Sequence, residues 1–273
     1  MQRAEITGLY MQALGLQKGA PNFSLLSDIV QRHLACFAFC SVGPRLGEDL
    51  PLDLESLYQR IVVRQRGGYC FEQNSLIYEV LQELGFAVQL YLCRVIYNED
   101  IHTGLTHRIT LVELDGQCYV VDVGFGPQGP RKPVNMSKQE SSEGDRVFRI
   151  AEPRSREFHM QTLKQGEFHS LYKFDLARYG QADCEIGHFY THKHPTAKFV
   201  NNLVVSKILD DEIRSLLNRE YWVITSSGDQ KQGIGDAHQL KTILENELGV
   251  QITSAESRYL FDNSPGVTAP TDN

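Results

Sequence analysis

The sequence RGGYCFEQN, residues 66–74, places a cysteine after two glycines and a tyrosine, where an apolar helical repeat begins. The repeat predicts a helix from Phe71 to Leu84, and Gly85 follows it where a left-handed residue commonly ends a helix. Its apolar positions are Leu76, Ile77, Val80, Leu81 and Leu84. Cys70 would then lie at the first turn, where free backbone N–H groups and the helix dipole favour an anion. We therefore expect this position to favour the thiolate form of Cys70.

A β-hairpin with the turn Asp115-Gly116 is predicted further along the chain, because this dipeptide is a favoured two-residue hairpin turn. In the register of that turn, His107 faces Gly124 and Asp122 faces Ile109. His107 and Asp122 become diagonal neighbours on one face, with backbones about 7–8 Å apart, so an imidazole can reach a carboxylate. A slip of one residue would put them on opposite faces.

Asp122 is a charged residue inside the apolar strand Tyr119–Val123, and such a group is rarely buried without a partner. His107 is an available partner. Cys70 would then act as nucleophile, His107 would carry the proton, and Asp122 would orient the imidazole. Taken singly, a cysteine near a helix start and a histidine on a strand are more often core residues, so the residues alone leave both interpretations open.

The hydrophobic pattern divides the chain into three regions, 1–85, 86–195 and 196–273, and indicates an α+β fold. The first is helical, with further amphipathic stretches at 25–34 and 51–63. The second is an antiparallel sheet or barrel of short strands, predicted at 88–96, 108–114, 118–123, 147–151, 158–163 and 170–174. The third is mixed, with strands at 203–208, 221–225 and 250–253 and a helix at 237–248 capped by Asp236. The tail 263–273 is rich in Pro, Gly and Thr, and we expect it to fray.

The composition restricts the class of partner. The chain has 273 residues, with 27 Lys+Arg against 34 Asp+Glu and a net charge of −7. This length can bury a core without a metal or disulfide. The acidic balance argues against nucleic acid and anionic membranes and favours a small molecule or a protein. The longest apolar run, 34–40, is too short to span a membrane, and the first 20 residues lack the features of a signal peptide. We expect a soluble, cytoplasmic protein.

The cysteines and histidines do not suggest a structural framework. The six cysteines contain no Cys-x-x-Cys pair, and we expect free thiols, five of them small buried residues and the sixth Cys70. His188, His192 and His194 lie close in sequence, but no nearby Cys or acidic residue completes a tetrahedral set. We expect no metal site.

The motif at 66–74 resembles the signature of the arylamine N-acetyltransferases. Further segments that resemble this family are Thr106-His107, Asp122-Val123-Gly124-Phe125-Gly126, Tyr172-Lys173-Phe174 and residues 194–199, HPTAKF. The resemblance implies a helical bundle, a β-barrel and an α/β lid, with Cys70, His107 and Asp122 as the catalytic triad. It also implies ping-pong transfer of an acetyl group from acetyl-coenzyme A to an arylamine, hydrazine or arylhydroxylamine, as in xenobiotic metabolism, by a monomer or homodimer without a metal.

The resemblance also suggests the substrate contacts. Phe125, Phe39 and Phe199 are candidates to hold the aromatic ring, although Phe39 is more easily understood as a core residue. Gly124 and Gly126 lie in a glycine-rich loop, 124–129, that could approach coenzyme A.

One segment departs from the family pattern. Residues 38–41 are Ala-Phe-Cys-Ser, where the family usually carries Pro-Phe-Glu-Asn. Arg66 therefore lacks its usual acidic neighbour, and we expect it to pair with Glu72 or with a carboxylate elsewhere, since an unpaired buried arginine is costly.

Other functions fit the same residues. A transglutaminase-like thiol hydrolase would use the same Cys, His and Asp, and dependence on added arylamine distinguishes it. An amide synthase would take a longer acyl thioester, and acyl-chain preference distinguishes that. A non-catalytic binding protein would show equal alkylation rates for all its accessible thiols.

Overall fold

The computed structural model describes residues 1–137 and 139–265 of the chain. The N-terminal region is helical, as predicted. Its elements are α1 (Arg3–Ala13), α2 (Phe23–Cys36), a short strand β1 (Phe39–Cys40), α3 (Val42–Leu46), α4 (Leu54–Tyr58), which continues as a π-helical turn over Gln59–Val63, and α5 (Cys70–Glu83). Apolar faces of α1, α2, α4 and α5 form one core, with Tyr10, Leu26, Ile29, Leu57 and Leu76 among its buried members.

The start of α5 is defined by backbone contacts that only glycine permits. Gly67 has a φ of +64°, and a Cβ there would lie 2.6 Å from the Cys40 Cβ and 2.7 Å from the Ala38 carbonyl oxygen. Glu72 accepts a hydrogen bond from the Tyr69 N–H at 3.2 Å, which satisfies a free donor at the helix start. At the other end Gly85 has a φ of +89°, so the predicted left-handed stop is confirmed.

The middle region is an antiparallel sheet that nearly closes into a barrel. Its strands are β2 (Ala87–Val95), β3 (His107–Leu114), β4 (Gln117–Val121), β5 (Val134–Asn135), β6 (Ser141–Glu143), β7 (Arg146–Arg154), β8 (Glu157–Lys164) and β9 (Glu167–Phe174). Among the described residues the order is β5-β4-β3-β2-β9-β8-β7-β6, and β5 also approaches β7. The interior is apolar, with buried Ile109, Leu111, Phe148, Ile150 and Met160.

The predicted hairpin register is confirmed. Thr110 pairs with Val121, and Leu114 pairs with Gln117 across the turn. Asp115 and Gly116 have φ values of +51° and +71°, as a two-residue turn of this hand requires.

The rest of the chain adds helices and a second sheet. Its elements are α6 (Gln181–Lys193), α7 (Lys198–Asn201), β10 (Val204–Ile208), β11 (Glu212–Leu217), β12 (Glu220–Thr225), β13 (Gly228–Gly233), α8 (Ala237–Thr242), a π-helical turn over Ile243–Glu247, and α9 (Ser254–Asp262). The sheet order is β1-β10-β11-β12-β13, so a strand of the helical region completes this sheet. The division of the chain at residues 85 and 195 stays a prediction.

Some predicted elements of this region were wrong. Residues 250–253 do not form a strand, and Thr253 caps α9 by accepting a hydrogen bond from the Glu256 N–H. The pattern also gave no sign of β13, because the sequence GDQKQG is exposed throughout and lacks apolar alternation. Of the tail predicted to fray, residues 266–273 lie outside the described residues.

All six cysteines are free thiols. The expectation that five of them are small buried residues was wrong for Cys36, which is exposed at the end of α2, and for Cys118, which is half-buried. Within the described ranges, no helix is long and apolar enough to cross a membrane.

Gly187 allows α6 to lie directly against the start of α5. A Cβ at this position would press on the Leu105 carbonyl oxygen and lie 2.8 Å from the Phe71 Cζ. We expect Gly187→Ala to lower the free energy of unfolding by about 1–3 kcal/mol, as overpacking does, although alanine is the better helix former. The matched control is Gly8→Ala in α1, where a Cβ would meet only Lys18 at an ordinary 3.6 Å. Urea denaturation measures both, and equal stability of the two variants would contradict the packing argument.

Candidate active site

Cys70 is the first residue of α5, and its side chain packs against the chain just before and within β3. Its thiol lies 3.6 Å from the Thr106 carbonyl oxygen. The helix start also meets the loop after β4 so closely that a Cβ on Gly124 would lie 2.7 Å from the Cys70 Cα. Gly124 therefore has a packing reason to be glycine. This contact brings the cysteine to the end of the hairpin that carries the two other predicted residues.

His107 and Asp122 form the hydrogen bond that the hairpin register predicts. The distance from His107 Nε2 to Asp122 Oδ2 is 2.8 Å, and the two residues are only 2% and 1% exposed. With an ionised Asp122 as acceptor, Nε2 carries the hydrogen. Nδ1 is then the ring nitrogen that can take a proton from a group in the pocket.

The second carboxylate oxygen of Asp122 is also satisfied. Oδ1 accepts hydrogen bonds from Asn74 Nδ2 and from the Gly124 N–H, both at 2.9 Å. Burial alone would raise the pKa of the Asp122 carboxyl. The neighbouring His107, together with these two donors, holds that pKa below its ordinary value. Asp122 is thus a buried anion at neutral pH.

Asn74 is the site residue that the sequence analysis missed. In addition to its hydrogen bond with Asp122, the Asn74 amide donates a hydrogen bond to the Arg108 carbonyl oxygen at 2.7 Å and accepts one from the Val123 N–H at 3.0 Å. It lies four residues after Cys70 and therefore on the same face of α5. That spacing was visible in the motif at 66–74, but its partners belong to strands far along the chain.

Burial changes the argument about the sulfur. Burial, and the charge of Asp122 with it, raises the pKa of the Cys70 thiol, while the N–H groups of Phe71 and Arg108 act in the opposite direction. An isolated thiolate is therefore costly here, despite the helix start. A thiolate at neutral pH requires that its proton move to His107, so that the two groups form an ion pair.

The cysteine and the histidine line one cavity of about 190 Å³. The wall also contains the predicted Gly124 and the three predicted phenylalanines, Phe39, Phe125 and Phe199. Three further wall residues were not predicted from the sequence: Tyr97, Tyr190 and Lys198. Phe125 meets the His107 ring edge to face at 5.3 Å, and Phe39 meets Phe199 at 5.5 Å between centroids. Gly126 lies just beyond, where a Cβ would be 3.7 Å from the Phe39 ring. Its predicted contact with coenzyme A stays a prediction.

Arg66 finds carboxylates that are distant in sequence. Its guanidinium pairs with Glu48 at 2.5 Å and with Glu256 of α9 at 2.9 Å. The alternative prediction, a pairing of Arg66 with Glu72, was wrong, because the buried Glu72 carboxylate pairs with Arg60 at 2.8 Å. Burial raises the pKa of Glu72 to about 7.

The three histidines considered as metal ligands make other contacts. Nδ1 of His188 accepts a hydrogen bond from the Tyr69 hydroxyl, and Nε2 donates one to the Leu50 carbonyl oxygen at 2.7 Å. His192 bonds to the His188 carbonyl oxygen at 2.6 Å, and His194 bonds to Thr196 at 3.0 Å. Within residues 1–137 and 139–265, no group of three or more His, Cys, Asp or Glu side chains could hold a metal ion.

Comparison with known proteins places these residues in context. The sequence model of an N-acetyltransferase family matches residues 22–257 of this chain. An arylamine N-acetyltransferase from Mycobacterium tuberculosis is 30% identical over 264 residues, 92% of this chain and 93% of that protein. A Salmonella typhimurium protein named arylamine N-acetyltransferase / N-hydroxyarylamine O-acetyltransferase is 26% identical, with 98% and 95% covered. The structure of Mycobacterium marinum arylamine N-acetyltransferase in complex with CoA matches with a TM-score of 0.88 at 28% identity, covering 94% of this chain and 98% of that one.

Removal of the Asn74 side chain should destabilise the site. We expect Asn74→Ala to lower the free energy of unfolding by about 2–4 kcal/mol, because it removes one donor from Asp122 and takes the side-chain partner away from the Arg108 carbonyl oxygen and the Val123 N–H, all of them buried. The control is Asn201→Ala, whose exposed amide donates to the carbonyl oxygens of Pro195 and Ala197, which water can replace. Urea denaturation measures both. A loss below about 1 kcal/mol for Asn74→Ala, within the range of a single ordinary hydrogen bond, would show that Asn74 does not hold the site together.

Proposed function

We propose a two-step acetyl transfer through Cys70 for this chain, which belongs to the arylamine N-acetyltransferase family. The chain is thus an acyltransferase that acetylates arylamines. We infer that acetyl-coenzyme A is the donor, since a similar structure holds CoA. The observation that carries the two-step chemistry is the 2.8 Å bond between His107 and Asp122 at the cavity that Cys70 lines.

In the first step, the Cys70 thiol gives its proton to His107 Nδ1 and its sulfur attacks the carbonyl carbon of the acetyl thioester. The bond from that carbon to the sulfur of coenzyme A breaks. The departing thiolate takes the proton from His107 and leaves as free coenzyme A. Asp122 stays ionised and stabilises the imidazolium that exists between these two proton transfers.

In the second step, the amine nitrogen attacks the acetyl group on Cys70. His107 takes the proton that the amine loses and returns it to sulfur as the carbon–sulfur bond breaks. The first step exchanges one thioester for another and is nearly neutral in energy, whereas amide formation is downhill. The chain therefore needs to supply only a nucleophile, proton transfer and a pocket for the ring.

The pocket suits an aromatic acceptor. Phe125 and Phe199 present apolar surface beside the buried sulfur, and aromatic rings pack favourably edge to face or offset. A cavity of about 190 Å³ is small beside the roughly 300–1,000 Å³ of many ligand sites. This size favours a single ring and an acetyl group over a long acyl chain. Hydrazines and arylhydroxylamines belong to the same proposal, as nucleophiles of similar size.

The remaining parts of the proposal concern organisation and setting. We assign residues 1–85 to a helical bundle, 86–195 to the barrel and 196–273 to an α/β lid. We propose a cytoplasmic enzyme of xenobiotic metabolism, a monomer or homodimer that works without a metal.

The transfer is tested by assaying coenzyme A release from acetyl-coenzyme A with a panel of arylamines and hydrazines. We expect release that depends on added amine, and a loss of at least about 10³-fold in Cys70→Ser, because serine is far less ionised than cysteine beside an imidazole. Circular dichroism checks that the variant folds. Release of equal rate with and without amine would indicate a hydrolase. The same assay with longer acyl thioesters tests an amide synthase, which would prefer them.

The ion pair is tested by alkylation with iodoacetamide between pH 6 and 8. If the proton of Cys70 resides on His107, the alkylation rate of Cys70 should stay nearly flat down to pH 6. Cys36 is the internal control, because it is accessible, its partial burial raises the pKa of its thiol, and its rate should therefore fall about tenfold per pH unit. Peptide mass spectrometry separates the two. A Cys70 rate that falls in parallel with that of Cys36 would show a neutral thiol and rule out the ion pair.

A further inference from the structure

Lys198 is a cation in the wall of the catalytic cavity. It begins α7, and it lines the same cavity as Cys70 and His107. Its Nζ lies 5.3 Å from the centroid of the Tyr97 ring, another wall residue. No other Lys or Arg and no Asp or Glu is among the described residues that line this cavity.

The ammonium group has no protein anion to neutralise it. Several lysines of this acidic chain pair with carboxylates, such as Lys193 with Asp49 at 3.0 Å and Lys231 with Glu220 at 2.8 Å. Across residues 1–137 and 139–265, Lys198 Nζ has no carboxylate within 4 Å and donates no hydrogen bond to the protein. Lys198 is exposed on its solvent side, and the part of it that packs against the cavity wall is enough to lower the pKa of this lysine. The contact with Tyr97 holds the cation beside the cavity.

Cys70 and Lys198 line one small cavity, so a single substrate bound there lies against both residues. At about 190 Å³ the cavity accommodates about one substituted ring. An amine nitrogen at the Cys70 acetyl group would therefore leave the far substituent of its ring near Lys198. The phosphates of coenzyme A are separated from its thioester by the whole pantetheine arm, which is longer than such a ring.

We propose that Lys198 determines acceptor specificity by binding an anionic substituent, a carboxylate, on the ring of the arylamine. This inference rests on the proposed function and extends it to a substrate class: aminobenzoate-type acceptors are preferred over neutral amines of the same size. The ammonium supplies the countercharge that the rest of the aromatic wall lacks. An unpaired cation also disfavours amines that are themselves protonated at neutral pH.

The test compares 4-aminobenzoate with its neutral counterpart 4-aminobenzamide. p-Nitrophenyl acetate serves as donor, so no phosphate is present. The measured quantity is the ratio of kcat/KM for the acid to kcat/KM for the amide. We expect this ratio to fall roughly fivefold to tenfold in Lys198→Met, as loss of a partly solvated ion pair predicts. It should be retained in Lys198→Arg, which keeps the charge.

The matched control is Lys241→Met, which removes a lysine of α8 that pairs with Glu245 and does not line the cavity. Its ratio should equal that of the wild type. In the wild type the ratio should also decline as salt is added, because ions screen a half-exposed pair. Lys198→Met should lack this salt dependence, which a purely structural effect would not remove.

An unchanged ratio in Lys198→Met would overturn the proposal. Repeating the assay with acetyl-coenzyme A as donor tests whether Lys198 binds the phosphates of the donor instead. A raised KM for acetyl-coenzyme A together with an unchanged ratio would show that Lys198 serves the donor phosphates, and the acceptor assignment would then be wrong. If the wild type acetylated neither amine, the proposed function would fail, and this inference with it.

Discussion

The close approach of α5 to the end of the β3–β4 hairpin is the constraint on which the site depends. Gly124 has no side chain because the Cys70 backbone occupies that space. Asn74, one turn further along the helix, binds Asp122 and the backbone on both sides of the hairpin. These contacts join the helical region to the barrel at one point. Cys70 therefore lines the same cavity as His107, which binds Asp122, although the three residues belong to separate elements.

The acid and the thiol are both buried, but the pKa of Asp122 is lowered whereas that of Cys70 is raised, because their hydrogen-bond partners differ. Asp122 remains ionised because its oxygens accept hydrogen bonds from a histidine, an amide and a backbone N–H. Cys70 has weaker contacts, and burial raises the pKa of its thiol. The helix dipole, worth about 0.3–1 kcal/mol at an exposed position, is too small to offset such burial. In the proposed mechanism the imidazole of His107 accepts the proton and therefore sets the reactivity of the sulfur.

The divergent segment 38–41 illustrates how a buried charge can be satisfied by a new partner. Cys40 stands where the family usually has an acid, and burial raises the pKa of its thiol to about 12, so it supplies no charge. Arg66 instead binds Glu48 and Glu256. The two carboxylates supply the countercharge of this guanidinium, which would be costly to bury without a partner. The pairing also joins α9 to the residues just before α5, where Cys70 begins the helix.

Features with short-range causes were predictable from the sequence. The helical repeat and Gly85 located α5, and the Asp115-Gly116 turn set the hairpin register, which paired His107 with Asp122. Each depends on residues close in the chain, where periodicity and turn geometry act. The partners of Arg66, the contacts of Asn74 and the position of β1 in the second sheet required the folded chain. So did the presence of Lys198 in the same cavity as Cys70, because packing between distant segments has no local signature. The sequence alone set the helices, strands and turns, because these depend on local backbone geometry. The tertiary structure decided which of their side chains share a pocket, because that depends on packing between distant segments.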